Sequence, residues 1–140
     1  MPELFATPQD AEDAFYDAID EADAAKMRSV WDDSEGIACL LPMQALTLGP
    51  DVHKIWDPVT RGEVRVDIQV RHLRWLDLGE VAIHFVEEVV KIPEGGSQPP
   101  MYATNVFRRK DSGWRMILHQ NSPAPPPPGS MGRGPAPGTG

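Results

Sequence analysis

The second half of the chain alternates apolar and polar residues with the period of two that is typical of β-strands. Between Val64 and Val70 every second residue is Val or Ile and the residues between them are charged or amide-bearing, which predicts a half-buried antiparallel strand. The alternation slips at Leu73 and Trp75. A slip of this kind predicts a β-bulge near His72, where the strand bends.

Two further strands and a hairpin follow. The segment from Val81 to Ile92 is more evenly apolar, which is typical of a strand in the middle of a sheet. Residues 93–100 (PEGGSQPP) predict a loop, and Tyr102–Arg108 and Trp114–Asn121 predict a β-hairpin whose tight turn is Asp111–Gly113.

The first half of the chain has helical spacing instead. Thr7 suits the N-cap of a first helix, Pro8 its first position and Asp10 its positive end. One face of this helix is predicted to be apolar: Ala11, Ala14, Phe15, Ala18, Ile19 and Ala22. The other face is predicted to be solvated: Glu12, Asp13, Asp17, Asp20 and Glu21.

Between this helix and the long strands, the pattern predicts shorter elements. A second helix carries Met27, Val30 and Trp31 inward, and two short strands lie within residues 37–41 and 45–48. A third helix begins at Pro50, and Pro58 must kink or end it. The prediction is therefore an α+β fold with three N-terminal helices and a mostly antiparallel sheet.

Composition narrows the classes of partner and compartment. The formal net charge is −8, and a polyanion is bound by clustered Lys and Arg, so we expect no nucleic-acid partner. The chain has no long apolar run and no basic leader, so we expect no membrane association. The lone Cys39 fits a reducing compartment, and we expect a cytoplasmic location.

Composition also divides the chain into a folded domain and a tail. Residues 1–123 are sufficient for one domain with its own core. Residues 124–140 are rich in Pro and Gly and have almost nothing to bury, which predicts a disordered tail.

The hairpin carries the candidate chemistry. Ile117, His119 and Asn121 are two residues apart and share one face of a strand, as Asn105 and Phe107 do on the other strand. Two amides and an imidazole among apolar neighbours are typical of the wall of a small-molecule pocket. We therefore expect these side chains to surround a small, largely apolar ligand.

Short motifs resemble a known superfamily. They are Phe15-Tyr16-Asp17-Ala18 on the first helix, Leu48-Gly49 before the third helix, Gly113-Trp114 after the hairpin turn and Asn121-Ser122 on the last strand. With the order of elements, they resemble the nuclear transport factor 2-like superfamily in its SnoaL-like branch, over residues 8–123. The last hairpin also resembles the association domain of calmodulin-dependent kinase.

The resemblance implies a curved sheet wrapped around helices, cone-shaped, with a pocket at the open end and a homodimer across the outer sheet face. It implies that Tyr16, Trp31 and Trp56 come from helices that cap the cone, where they line the pocket. The superfamily includes isomerases, cyclases, dehydratases and assembly modules, so the fold leaves the function open. One departure is Leu41, which stands where several SnoaL-like relatives have a His.

Two residues are candidates for acid–base catalysis. His119 is the first, because an imidazole ordinarily titrates near neutrality and a neighbouring amide can fix its tautomer. Glu87 and Glu88 are adjacent and face opposite ways, so one of them points inward, and Glu87 is the alternative base if it is that one. His72 and His84 are interpreted as hydrogen-bonded sheet histidines.

Three functions therefore remain open: a binding protein for a small apolar molecule, an isomerase, cyclase or dehydratase that needs no cofactor, and a non-catalytic assembly module. No Cys/His spacing matches a metal site, so we expect no metal.

Overall fold

The computed structural model describes residues 4–91 and 99–125. Its helices are α1 (Pro8–Glu21), α2 (Ala24–Val30) and α3 (Val52–Thr60), the last preceded by a 3₁₀ turn at Gly49–Asp51. Its strands are β1 (Ala38–Leu40), β2 (Thr47–Leu48), β3 (Asp67–Asp77), β4 (Val81–Lys91), β5 (Met101–Lys110) and β6 (Gly113–Pro123). The predicted Pro93–Pro100 loop and Pro/Gly-rich tail lie largely outside the described residues.

The strands form one open, mostly antiparallel sheet in the order β2-β1-β6-β5-β4-β3. Among the paired strands of the described residues, only β1 and β6 run parallel. β4 lies inside the sheet, as its even apolar character predicts. This is the α+β cone fold expected from the sequence.

A bulge bends β3 where the sequence predicts one. The pairing with β4 shifts between His72 and Arg74, so Leu73 is the extra residue. Before the bulge His72 lies opposite Val86, and after it Trp75 lies opposite His84. Because the bulge adds one residue, His72 and Trp75 face the same side of the sheet although they are three apart.

The helices cover one face of the sheet, which we call the inner face. Helix α1 begins as predicted, since Thr7 Oγ1 accepts a hydrogen bond from the Asp10 amide at 3.0 Å. Its apolar stripe packs with α2, α3 and the inner face into a single core. The buried core residues of the helices are Ala11, Ala14, Phe15, Ala18, Ile19, Met27, Val30, Val52 and Trp56.

Several predicted boundaries differ from the structure. Helix α3 continues for two residues beyond Pro58 and ends at Thr60. Strand β3 begins at Asp67, and Val64 is exposed. The hairpin turn has two residues, because Lys110 and Gly113 already pair with each other. The prediction that Glu12 is solvated is wrong, since its side chain is 1% exposed.

The N-terminal segment packs tightly against the hairpin turn. The Trp114 amide donates a hydrogen bond to the Phe5 carbonyl at 2.9 Å, and the Leu4 amide donates one to the Ser112 carbonyl at 3.0 Å. Gly113 lies between these contacts with φ +115°, and a Cβ placed on it would come within 2.8 Å of the Phe5 carbonyl oxygen. Glycine is required here both for its conformation and for this close approach.

Substitution of Gly113 by Ala tests this packing. Gly79→Ala is the matched control, because Gly79 also has a positive φ, +90°, but a Cβ placed on it would have no neighbouring atom within 4 Å. We expect Gly79→Ala to lower the free energy of unfolding by about 1 kcal/mol through backbone strain. Gly113→Ala should cost at least about 1 kcal/mol more in urea denaturation, and equal losses would contradict the role of the N-terminal contact.

Candidate functional site

The inner face carries a row of polar and aromatic side chains that crosses the sheet. Trp75 on β3 lies opposite His84 on β4, His84 opposite Asn105 on β5, and Asn105 opposite His119 on β6. Cys39 on β1 continues the row beyond His119. Strand pairing, with a bulge in β3 and another in β6, therefore brings together residues that are far apart in the sequence.

Glu12 points from α1 into the middle of this row. One of its carboxylate oxygens, Oε1, lies 3.0 Å from His72 Nε2. The other, Oε2, accepts a hydrogen bond from Asn105 Nδ2 at 2.9 Å and lies 3.1 Å from His84 Nδ1. One carboxylate on α1 thus contacts three neighbouring strands.

These contacts keep Glu12 ionised. Burial by itself raises the pKa of a carboxyl group, but the interactions of Glu12 with His84, Asn105 and His72 together outweigh it and leave its pKa below the ordinary value. A buried carboxylate is stable only when donors and positive charge surround it. The histidines expected to be satisfied by hydrogen bonds in the sheet are in fact the partners of this carboxylate.

A second buried carboxylate, Glu88, lies further along β4. Its Oε2 accepts a hydrogen bond from the Tyr16 hydroxyl at 2.5 Å, and its Oε1 accepts one from Asn121 Nδ2 at 2.8 Å. Burial and the nearby negative charge of Glu88 raise the pKa of Tyr16 well above its ordinary value. Tyr16 therefore keeps its proton and acts as a donor at neutral pH.

His119 completes the network and is 2% exposed. Its Nδ1 lies 2.6 Å from Asn105 Oδ1, and its Nε2 lies 2.9 Å from Asn121 Oδ1. Burial lowers the pKa of His119, although Glu88 and Asn121 oppose that effect. The imidazole also packs against the aromatic rings of Phe15 and Trp56, with centroids 4.8 Å and 5.8 Å away.

The structure places most of the predicted site residues around this network. Asn105, His119, Asn121 and Tyr16 are hydrogen-bonded within it, and Phe107 packs against His84 with ring centroids 5.0 Å apart. The buried polar groups of Asn105, His119, Asn121 and Tyr16 contact each other or Glu12 and Glu88. The interior around His119 is therefore filled by protein side chains.

The two predicted tryptophans differ in position. Trp56 adjoins His119, whereas Trp31 follows α2, packs against Phe15 and forms a bridge to Met116. Both indole Nε1 atoms are buried without a hydrogen-bond acceptor among the described residues. Trp31 is therefore a core residue rather than a neighbour of the polar network.

Glu87 is not the inward carboxylate of the pair, so the condition under which it was the alternative base is not met. Glu87 lies on the outer face, 3.3 Å from Arg71 Nε, whereas Glu88 is 5% exposed and points inward. Residues on a strand alternate between faces, and Ala82, His84 and Val86 are buried on β4. This parity assigns Glu88 to the inner face.

Sequence reasoning also missed Glu12 and Trp75. One signal for Glu12 was present, since it lies four residues before Tyr16 and therefore on the same side of the helix. Trp75 is 46% exposed although it is on the inner face, and its ring stacks on His84 at 4.7 Å with 20° between the planes. It marks the place where α1 does not cover the sheet edge.

Solvent-facing grooves beside Trp75, at the β3 edge of the sheet, reach the hydrogen-bonded network around Glu12. One, of about 350 Å³, is lined by Glu12, Asp13, Tyr16, Asp17, Val70 and His72. A second, of about 310 Å³, is lined by Thr7, Pro8, Gln9, Trp75, Leu76, Asp77, Ala82 and His84. A third, of about 300 Å³, lies at the bulge of β3 and is lined by His72, Leu73, Arg74 and Trp75. The first two grooves follow the gap between α1 and β3.

This arrangement is suited to binding and to proton transfer. Glu12 can accept a proton or hydrogen bonds from a molecule in the first groove, whereas the hydroxyl proton of Tyr16 is donated to Glu88. Within residues 4–91 and 99–125, no group of three or more His, Cys, Asp or Glu side chains is arranged to hold a metal ion. In the same part of the chain, no helix is long and apolar enough to cross a bilayer.

Comparison with known proteins gives the family. The SnoaL-like domain model matches residues 9–126, so the chain belongs to the SnoaL-like domain family, within the nuclear transport factor 2-like superfamily. No curated protein matches the chain significantly.

Solved structures agree with this assignment. A proposed calcium/calmodulin-dependent protein kinase type II association domain from Thiobacillus denitrificans is 35% identical, with 89% of this chain and 100% of that chain covered and a TM-score of 0.80. A proposed dehydratase of the NTF2-like family from Streptomyces avermitilis is 23% identical over 83% of this chain and 92% of that chain, with a TM-score of 0.72. The CaMKII hub of S. rosetta is 17% identical over 86% of this chain and 100% of that chain, with a TM-score of 0.66.

Glu12→Gln tests the buried carboxylate. The pKa of Glu12 is lower in the folded chain than its ordinary value of 4.5, so its ionised form stabilises the fold above that pH, and the stabilisation is lost as the pH falls through the folded pKa. At pH 7 we expect the free energy of unfolding to fall by about 2 kcal/mol. The difference from the wild type should shrink below about pH 4.5.

Urea denaturation between pH 3 and pH 7 measures both effects. Asp13→Asn is the matched control, because Asp13 is adjacent but exposed, and it should change stability by less than about 0.5 kcal/mol. A difference between wild type and Glu12→Gln that stays constant over this pH range would show that Glu12 is not held ionised.

Proposed function

We propose that this domain binds a small, largely apolar molecule in the gap between α1 and β3. The observation that carries the proposal is the buried, ionised Glu12, which borders a solvent-facing groove. Its partners His72 and His84 pack against the exposed Trp75 on the inner face. A buried charge beside an open apolar surface has a stability cost that a purely structural edge would avoid. This cost is explained if a ligand contacts both the Glu12 carboxylate and the apolar surface.

The two kinds of surface match two parts of one ligand. Trp75, Pro8, Leu76 and Ala82 supply apolar contact in the second groove. The first groove is bordered by carboxylates, a phenol and an imidazole, which suit a polar group that donates hydrogen bonds. The His72 side chain, 41% exposed, lies between them and is accessible to either part.

An acid–base enzyme is the alternative for the same site. It would use Glu12 or Glu88 as the base in place of Glu87, with Tyr16 or His119 as proton donor, and the reaction would be an isomerisation, cyclisation or dehydration without a cofactor. The proposed dehydratase among the structural neighbours has the same fold. Ligand binding is the more general proposal because catalysis requires it.

The cellular setting is also proposed. Burial, with a contribution from the charge of Glu88, raises the pKa of Cys39 to about 12, so this thiol is unreactive, which suits a cytoplasmic protein. We also propose that residues 1–123 form the ligand-binding domain and that residues 124–140 form a tail outside it.

Binding of the neutral apolar dye Nile red to the full chain tests the ligand site. We expect Trp75→Ala to weaken dye binding about fivefold, since loss of an aromatic contact costs roughly 1 kcal/mol. Leu78→Ala is the control, because Leu78 is 63% exposed in the turn beyond β3 and should leave the affinity unchanged. Equal fluorescence titrations for wild type and Trp75→Ala would contradict the proposal, and native mass spectra of the purified chain would identify a ligand that copurifies.

We propose, second, that the outer sheet face pairs with another copy of the chain. Ile83, Val106 and Leu118 lie opposite one another on β4, β5 and β6 and form an apolar row on that face. On the same face, Phe85 lies in the next row and Tyr102 in the row beyond it, and they are 37% and 40% exposed. Two of the structural neighbours are named an association domain and a hub, which supports an oligomer built on this fold.

Sedimentation equilibrium of the full chain tests the homodimer. We expect the wild type to have twice the chain mass and Val106→Glu to have the mass of one chain, because a buried, unpaired carboxylate disfavours an interface. Leu78→Glu adds the same charge in the β3–β4 turn and should keep the wild-type mass. A monomeric wild type, or a dimeric Val106→Glu variant, would exclude this face as the interface.

A further inference from the structure

The two amides beside His119 are oriented by carboxylates. Asn105 must direct Nδ2 toward the ionised Glu12, and Asn121 must direct Nδ2 toward Glu88, because a carboxylate accepts and an NH₂ group donates. Both amide oxygens are therefore directed at the imidazole of His119, one at each ring nitrogen.

The orientation of the two amides restricts the protonation state of the His119 imidazole. Two acceptors at Nδ1 and Nε2 are both satisfied only if both nitrogens carry a proton, which makes His119 an imidazolium. Its Nε2 lies 4.0 Å from Glu88 Oε2, close enough for the two charges to stabilise each other. With both ring nitrogens protonated, this arrangement is a buried ion pair bridged by the amide of Asn121, and the burial that lowers the pKa of His119 opposes it.

A second arrangement satisfies the same groups without charge on the pair. If the Nε2 proton moves to Glu88 Oε1, that carboxyl donates to Asn121 Oδ1, and the Asn121 amide, rotated by half a turn, donates through Nδ2 to the now unprotonated Nε2. Tyr16 still donates to Glu88 Oε2, and His119 Nδ1 still donates to Asn105. No hydrogen bond is lost, and the burial of all members favours a pair without net charge separation.

We infer that His119 and Glu88 hold one proton between them and that the amide of Asn121 is the positioning group that determines which of them carries it. Glu12, Tyr16 and His84 face the network from α1 and β4, and Cys39 lies opposite His119 on β1. The inference goes beyond ligand binding and does not depend on it. It gives the acid–base alternative a proton donor that is connected to Tyr16 at the groove wall.

Glu88→Gln separates the two arrangements. A Gln at this position resembles the protonated carboxyl, since it can donate to Asn121 Oδ1 and accept from Tyr16, and it forces the rotated amide. We expect the ring ¹⁵N spectrum of His119 at pH 7 to show Nδ1 protonated and Nε2 unprotonated in this variant. In the wild type Nε2 should have the shift of a protonated nitrogen or one between the two forms.

Glu87→Gln is the matched control, because it removes the adjacent charge on the outer face, and its His119 spectrum should equal that of the wild type. Identical His119 spectra for wild type and Glu88→Gln would overturn the inference if the wild-type Glu88 carboxyl ¹³C shift is that of an ionised group, whereas a protonated Glu88 would place the shared proton on the carboxyl. If Glu88→Gln does not fold, a measurement on the wild type alone tests whether His119 and Glu88 share a proton. Unprotonated Nε2 together with an ionised Glu88 carboxyl ¹³C shift, or an unprotonated Nδ1, would show that the pair does not share a proton.

Discussion

The contact of the Glu12 carboxylate with His72, His84 and Asn105 is the interaction on which the arrangement of the site depends. The three partners lie on β3, β4 and β5, so one side chain attaches helix α1 to three strands at once. An apolar contact would tolerate a slide of the helix by a fraction of a turn. A buried carboxylate does not tolerate it, because each oxygen would lose donors that water cannot replace. The position of Tyr16, one turn further along α1, follows from this constraint.

The interior of the domain is divided accordingly. Phe15, Ala18, Met27 and Val30 form an apolar core with sheet residues such as Phe107 and Met116. A polar, internally hydrogen-bonded row crosses the same inner face. Two ionisable carboxylates and a buried imidazole in one network are expensive for stability unless they are nearly fully satisfied. Such networks are common where a ligand or a reaction requires them. The exposed Trp75 and the grooves along α1 lie where this network approaches solvent.

Much of the fold was predictable because it depends on short-range patterns. The cap at Thr7, the apolar stripe of α1, the bulge near His72 and the inner position of β4 each follow from local spacing, and the structure has all of them. The site was predicted in part. Strand parity correctly grouped Asn105 with Phe107, but it could not say which of Glu87 and Glu88 faces inward, because the parity of β4 is set by pairing with its neighbours.

Local sequence thus determined the order of the elements, the start of α1 and the polar character of the last hairpin, since hydrophobic period, caps and turn residues act over a few positions. Tertiary structure alone decided that Glu12 is buried and not solvated, because its partners lie about 60 to 90 residues away in the chain and meet it only when α1 crosses the sheet. It also decided that Trp75 joins the row that contains His84 and His119. The bulge at Leu73 fixes which face receives that indole, and strand pairing brings the other members beside it.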